Sequence, residues 1–145
     1  MSRELIRKYP EILNYSSVWM DTVTHNTRQG SKEFGLSNTN RLIRTYEGCV
    51  GLKTGSTSKA KFCVSAVAKR KGITLIAVVM AAPDSRTRVK DASMLFDYGL
   101  QNVSLYRRKS GEVPDLKVIK GIKEKTTLTF GKTFRCLSTD GTTFE

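Results

Sequence analysis

The sequence predicts an α+β fold: an antiparallel sheet with a helix packed on it after the last strand, followed by a small, incomplete all-β segment. Three observations carry that prediction. Phe62 to Lys69 places Phe62, Val64, Ala66 and Ala68 at every second position, the period of a strand with one apolar face. A tight turn at Lys71-Gly72 leads into Ile73 to Ala82, apolar except for Thr74, which reads as a central strand covered on both faces. Asp84 then offers an N-cap, and Arg88, Val89, Ala92, Leu95, Phe96 and Leu100 share one face of a helix that closes near Gly99.

The remaining elements follow in chain order. In residues 1 to 9, Leu5, Ile6 and Tyr9 have helical spacing, with Arg3, Arg7 and Lys8 outside and a new turn at Pro10. The helix has no N-cap before it, so it reads as the end of a longer one. Val18 to Thr24 is rich in β-branched residues and predicts a strand, Thr27 to Lys32 a turn, and Glu33 to Leu36 the returning strand of a hairpin. Past Val103 the character changes. Ser104 to Arg108, Val113 to Gly121, Thr126 to Thr129 and Lys132 to Leu137 read as short strands, with turns at Lys109-Ser110-Gly111, Lys120-Gly121 and Asp140-Gly141. Residues 1–102 and 103–145 are therefore expected to be separate domains.

Composition narrows the class. The chain has 145 residues, 39% of them hydrophobic and 26% charged, enough for one ordinary packed domain. The longest apolar run falls short of the ~18 residues that a membrane helix needs. Met1 to Lys8 leads into no apolar segment of the signal-peptide kind, and this implies that something upstream is missing. The net charge of +12 is spread along the chain, with short clusters only at Lys69-Arg70-Lys71 and Arg107-Arg108-Lys109. Neither cluster is interleaved with stacking aromatics, so nucleic acid is not an expected partner. The charge reads as solvated surface, with attraction to an anionic cell envelope second.

Cys49, Cys63 and Cys136 have no metal-ligand spacing, and no metal or other cofactor is expected. Cys63 lies in an apolar strand and is expected to be a buried small hydrophobe. His25 has no visible cysteine to pair with and reads as an ordinary surface or strand histidine.

The chemistry concentrates in Gly51-Leu52-Lys53-Thr54-Gly55-Ser56-Thr57. In a strand, Lys53 and Gly55 point to one face and Thr54 and Ser56 to the other. A glycine within a strand suits close approach by a ligand or another backbone, and a free strand edge can pair with an extended peptide. Lysine supplies a positive charge for a carboxylate, and the hydroxyls supply oriented hydrogen bonds. Together these features suit recognition of a peptide's C-terminus. By the same strand order, Lys53, Phe62 and Ile73 head three successive antiparallel strands, with that of Lys53 toward the active-site edge.

K-T-G is one of three motifs shared by serine penicillin-binding proteins and class A β-lactamases. Its surroundings extend the match through Asn38-Thr39-Asn40-Arg41-Leu42-Ile43, Gly51 to Ala60, Ser65 to Ala68, Leu75 to Met80, and Asp91-Ala92-Ser93 with Leu95 to Gly99. Over roughly residues 1 to 105 the chain resembles the low-molecular-mass serine D-alanyl-D-alanine carboxypeptidases. That resemblance implies the C-terminal part of a penicillin-binding/β-lactamase-like catalytic domain, with its covering helix, and the start of the β domain that follows it.

The resemblance also implies roles. Lys53 would hold the carboxylate of the substrate or of a β-lactam, Thr54 would hydrogen-bond it, and the Ser56 backbone N–H beside Gly55 would serve as one oxyanion-hole donor. Arg88 matches an arginine that helps bind the terminal carboxylate; as a residue on its own it could equally be a solvated helix charge. The implied substrate is a peptidoglycan stem peptide ending in D-Ala-D-Ala, in an extracytoplasmic, envelope-associated setting. Within these residues Ser56-Thr57-Ser58-Lys59 fits the letters of S-x-x-K but overlaps the Lys53 strand, and no S-x-N lies suitably upstream. The isolated chain is therefore expected to lack nucleophile and base and to be inactive. A non-catalytic peptide-binding module on the same sheet is the alternative. Without an N-terminal half to cover the Ile73 strand, self-association, or burial by a separate N-terminal fragment, is expected.

Overall fold

The computed structural model describes residues 1–28, 30–107, 115–122, 125–128 and 134–139. The chain divides into two compact units, Met1–Asn102 and Val103–Glu145.

In the first unit the centre is a three-stranded antiparallel sheet, β3 (Cys49–Thr57), β4 (Lys61–Arg70) and β5 (Ile73–Ala82), in that spatial order. Lys53 stands opposite Ser65 and Thr54 opposite Val64, and β3 is an edge strand of this sheet. Val64, Ala66 and Ala68 face the main core with Ala77 and Val79, and Phe62 packs against it. The period-2 reading of Phe62 to Lys69 describes this face correctly.

Helix α4 (Ser85–Asn102) covers that face, burying Ala92 and Phe96 against the sheet. Asp84 caps it: Oδ1 accepts from the backbone N–H groups of Arg86 at 2.7 Å and Thr87 at 2.8 Å, and Oδ2 accepts from the Thr87 hydroxyl at 2.8 Å. These bonds, those from Thr87 first, hold the Asp84 carboxyl below its usual pKa. Leu95, expected on the packed face, is instead 48% exposed. One-turn helix α3 (Leu42–Thr45) adds Leu42 and Tyr46 to the core, with the Tyr46 and Phe96 rings 5.1 Å apart.

The opposite face is only partly covered. Two N-terminal helices, α1 (Ser2–Lys8) and α2 (Ile12–Ser16), lie over it: Ser2 Oγ is 2.8 Å from Ser65 Oγ, and the Ser16 hydroxyl donates to the Val50 carbonyl at 2.9 Å. Along β5 the cover stops. Ile73, Ala77 and Val79 are buried, whereas Val78 is 55% and Met80 75% exposed. The bare second face is the one expected in the absence of an N-terminal half, but the expected central strand is corrected: β5 lies at an edge of the described sheet and β4 at its centre. An almost wholly apolar run is compatible with either arrangement, and only the neighbouring elements decide between them.

Two further corrections are local. Cys49, not Cys63, is the buried cysteine of the sheet. Burial pushes the Cys49 thiol pKa up. Cys63 sits at a register shift between Phe62 and Val64, where its Sγ accepts from the Ala81 N–H at 3.5 Å and Ala81 has a φ of 58°. A bulge of this kind turns a side chain out of the regular pleat. Second, α2 and α3 form where the sequence predicts no helix. They are one to two turns long, too short to show a helical repeat.

Strands β1 (Met20–Thr27) and β2 (Gly30–Ser37) make a separate antiparallel hairpin, exposed at every described residue. It runs closer to the turn than the expected 18–24 and 33–36. His25 lies on it, edge-on to Phe34 at 6.0 Å between ring centroids.

In the second unit, β6 (Val103–Arg107) pairs antiparallel with β9 (Arg135–Thr139), and β7 (Leu116–Lys117) pairs with β8 (Lys125–Thr126). The expected turns at 109–111 and 140–141 lie outside the described residues. Residues 120 and 121 fall in a bend between β7 and β8.

Candidate functional site

The free edge of β3 forms one wall of a cleft of about 870 Å³. Lys53, Thr54, Gly55 and Ser56 line this wall, and the start of α4 contributes Arg88 and Ser85. All five residues singled out from the sequence therefore border one cavity.

Burial differs among them. Thr54 is 7% exposed, whereas Lys53, Gly55 and Ser56 are exposed. The Thr54 hydroxyl lies 2.6 Å from that of Thr39, and Lys53 Nζ donates to the Thr54 carbonyl at 2.6 Å. The ammonium is thus held at the strand edge.

Arg88 departs from the solvated-charge reading, being only 6% exposed. Its guanidinium donates to the Cys63 carbonyl at 3.3 Å and to the Ser85 hydroxyl at 3.2 Å, and lies 5.7 Å from the centroid of the Phe62 ring. The shifted register at Cys63 thus places a carbonyl where α4 can use it. Burial lowers the Arg88 pKa, and the like charge of Arg41 pulls it the same way. Arg88 remains a cation at neutral pH.

The far wall comes from residues given no role above. Trp19, Thr39, Arg41 and Arg44 also line the cleft. The segment carrying them is shaped by two asparagines. Asn38 Nδ2 donates to the Ser16 and Val18 carbonyls at 3.1 and 2.9 Å, while its Oδ1 accepts from the Asn40 N–H at 2.9 Å. Asn40, 2% exposed, accepts from the Leu42 N–H at 3.3 Å. Asx turns of this kind set the entry to a short helix. Asn38 to Ile43 was legible as a matching stretch, but its side-chain roles were not.

Electrostatically the cleft has one sign. Lys53, Arg41, Arg44 and Arg88 line it and no carboxylate does. Among the described residues the ion pairs are Arg7 with Glu4 and Arg70 with Glu47, and neither involves a cleft cation. A concave site with unpaired cations and oriented hydroxyls attracts an anion and can hydrogen-bond it. The S-x-x-K serine that lines it, Ser56, belongs to the Lys53 strand itself, and no S-x-N serine lines it.

Residues 1–84 match the family model described as D-alanyl-D-alanine carboxypeptidase, peptidase family S11. Over 144 residues the chain is 35% identical to D-alanyl-D-alanine carboxypeptidase DacF of Bacillus subtilis (strain 168), covering 97% of this chain and 36% of that protein. Over 62 residues it is 42% identical to a D-alanyl-D-alanine carboxypeptidase of Streptomyces sp. (strain K15), covering 43% of this chain and 21% of that one. The crystal structure of the Streptomyces K15 DD-transpeptidase superposes with a TM-score of 0.61 at 31% identity, over 65% of this chain and 37% of that one. Penicillin-binding protein D2 from Listeria monocytogenes, in its cefotaxime-bound form, does so with a TM-score of 0.57 at 34% identity, over 68% and 37%. The chain thus spans about a third or less of the length of these relatives.

Proposed function

Because the chain belongs to the D-alanyl-D-alanine carboxypeptidase family of peptidase family S11, we propose that its cleft is the carboxylate-holding wall of a serine-type D,D-carboxypeptidase site. The observation that carries this reading is the convergence of Lys53, Thr54 and Arg88 on a single cleft free of acidic side chains. A D-Ala-D-Ala terminus would lie along the β3 edge. Its carboxylate would meet the Lys53 ammonium, the Thr54 hydroxyl and the Arg88 guanidinium, and the Ser56 N–H would face the penultimate carbonyl.

In the complete enzyme a serine supplied from outside these residues would attack that carbonyl. Its Oγ forms an ester with the penultimate D-Ala as the peptide C–N bond breaks. The terminal D-Ala leaves with a proton on its nitrogen, and water then hydrolyses the ester. The natural substrate would be a peptidoglycan stem peptide outside the cytoplasm, and a β-lactam would acylate the same serine. Residues 103–145 would open the β domain after the catalytic one. This chain's part is to bind and orient; alone it would not cleave.

The test compares N-acetyl-Gln-D-Ala-D-Ala with its C-terminal amide in calorimetric titrations of the 145-residue chain. Preference for the free acid, lost in Lys53→Gln, supports the reading; equal binding of acid and amide overturns it. Labelling with a fluorescent penicillin tests the second part, since covalent label on the isolated chain would show that it carries its own nucleophile.

A further inference from the structure

The terminal carboxylate accounts for only one wall of the cleft. Lys53, Thr54 and Ser56 come from β3 and Arg88 from α4, whereas Arg41 and Arg44 come from α3 and the residue preceding it. Three residues apart on one helical turn, Arg41 and Arg44 lie on the same side of that turn. Arg44 is further fixed, with its guanidinium 5.2 Å from the centroid of the Trp19 ring. A guanidinium stacked on an aromatic face keeps its N–H edge free and loses little freedom when it meets a planar anion.

Neither arginine meets a carboxylate among the described residues, and the Arg41 charge is felt at Arg88. One carboxylate bound at β3 would therefore leave the α3 wall with uncompensated positive charge. The cleft, at about 870 Å³, lies in the size range that holds a whole small ligand rather than a two-residue tail.

Resting on the reading of β3 as the terminal-carboxylate wall, we propose that Arg41 and Arg44, with Trp19, form a second anion subsite for a side-chain carboxylate on the residue just upstream of the D-Ala pair. An extended chain rises roughly 3.3 Å per residue, so such a group stands about two residues back from the terminus. The preferred ligand is then a dianionic peptide end, and the α3 wall selects it over a monoanionic one.

The test titrates the 145-residue chain with N-acetyl-Glu-D-Ala-D-Ala and N-acetyl-Gln-D-Ala-D-Ala, which differ by one charge at nearly constant shape. Trp19, the single tryptophan of the chain, reports binding by fluorescence. Calorimetry provides a second readout, because Arg44→Gln changes the surroundings of Trp19. The glutamate peptide is expected to bind about five- to tenfold tighter, and the difference should shrink below about twofold in the Arg41→Gln/Arg44→Gln double variant. Arg41→Gln alone, which keeps the Trp19 stack, should reduce it partway. Circular dichroism melts confirm that each variant is folded. Equal affinities in the unaltered chain, or a preference that survives the double variant, overturn the second subsite. If those results come with binding that Lys53→Gln still abolishes, the terminal-carboxylate reading stands. If neither peptide binds, or Lys53→Gln changes nothing, both readings fall.

Discussion

Thr39 and Thr54 bring their hydroxyl oxygens to 2.6 Å across the cleft, and the two ends of that bond differ in exposure. Thr54 is buried while Thr39 is open to solvent. Removing the hydroxyl of Thr39 leaves a buried partner unsatisfied, at a cost of about 1–3 kcal/mol. Thr54→Val leaves the orphaned group facing water and should cost less. Thermal or chemical denaturation should therefore rank Thr39→Val as the more destabilising change. Binding of a D-Ala-D-Ala peptide should rank them the other way, because Thr54 flanks Lys53 on the ligand wall. The same order in both measurements would contradict this assignment.

Tyr46 gives an alkaline signature. Burial raises its phenol pKa above 10.0, helped by the hydrogen bond that its hydroxyl donates to Asp97 Oδ1 at 2.8 Å. The unfolded chain therefore releases this proton at lower pH than the folded one. The stability it contributes is complete below about pH 10 and declines as pH rises toward the folded-state value. Urea unfolding from pH 8 to 11 should show a steeper loss for the unaltered chain than for Tyr46→Phe. Parallel curves would exclude the effect.

Gly51 has a φ of 147°, and a Cβ there would collide with the Ser16 side chain, whose hydroxyl holds the Val50 carbonyl. Gly51→Ala should destabilise by more than about 1 kcal/mol and shift the β3 backbone two residues before Lys53. Chemical denaturation reads the first effect and peptide affinity the second. A neutral variant would mean that α2 does not hold the start of β3.

Much of this was legible from the residues. Alternation along β4, the cap at Asp84 and the K-T-G strand each carry a local signal, and all three were placed correctly. The α3 wall was not, because its signal is not local: Arg41 and Arg44 read as surface charge until Thr39 meets Thr54 and Trp19 meets Arg44 across more than ten residues of sequence. The burial of Arg88 was likewise undecided, since it depends on a shifted register at Cys63 that no spacing announces.

Val78 and Met80 lie on the second face of β5 and are both exposed. Adjacent exposed apolar side chains on a strand favour association. Sedimentation velocity of the isolated chain should show self-association that weakens in Val78→Ser/Met80→Ser. A monodisperse monomer at tens of micromolar would refute this.

The single-signed cleft also bears on how fast a ligand arrives. Four cations without an acid among them project a field that draws anions in before any contact forms, and such steering raises encounter rates by roughly 10- to 1000-fold. At 0.1 M salt that field decays over about 10 Å. Across a crowded anionic polymer the search would then shorten or lengthen with local ionic strength, while the bonds that hold a captured peptide stay nearly the same.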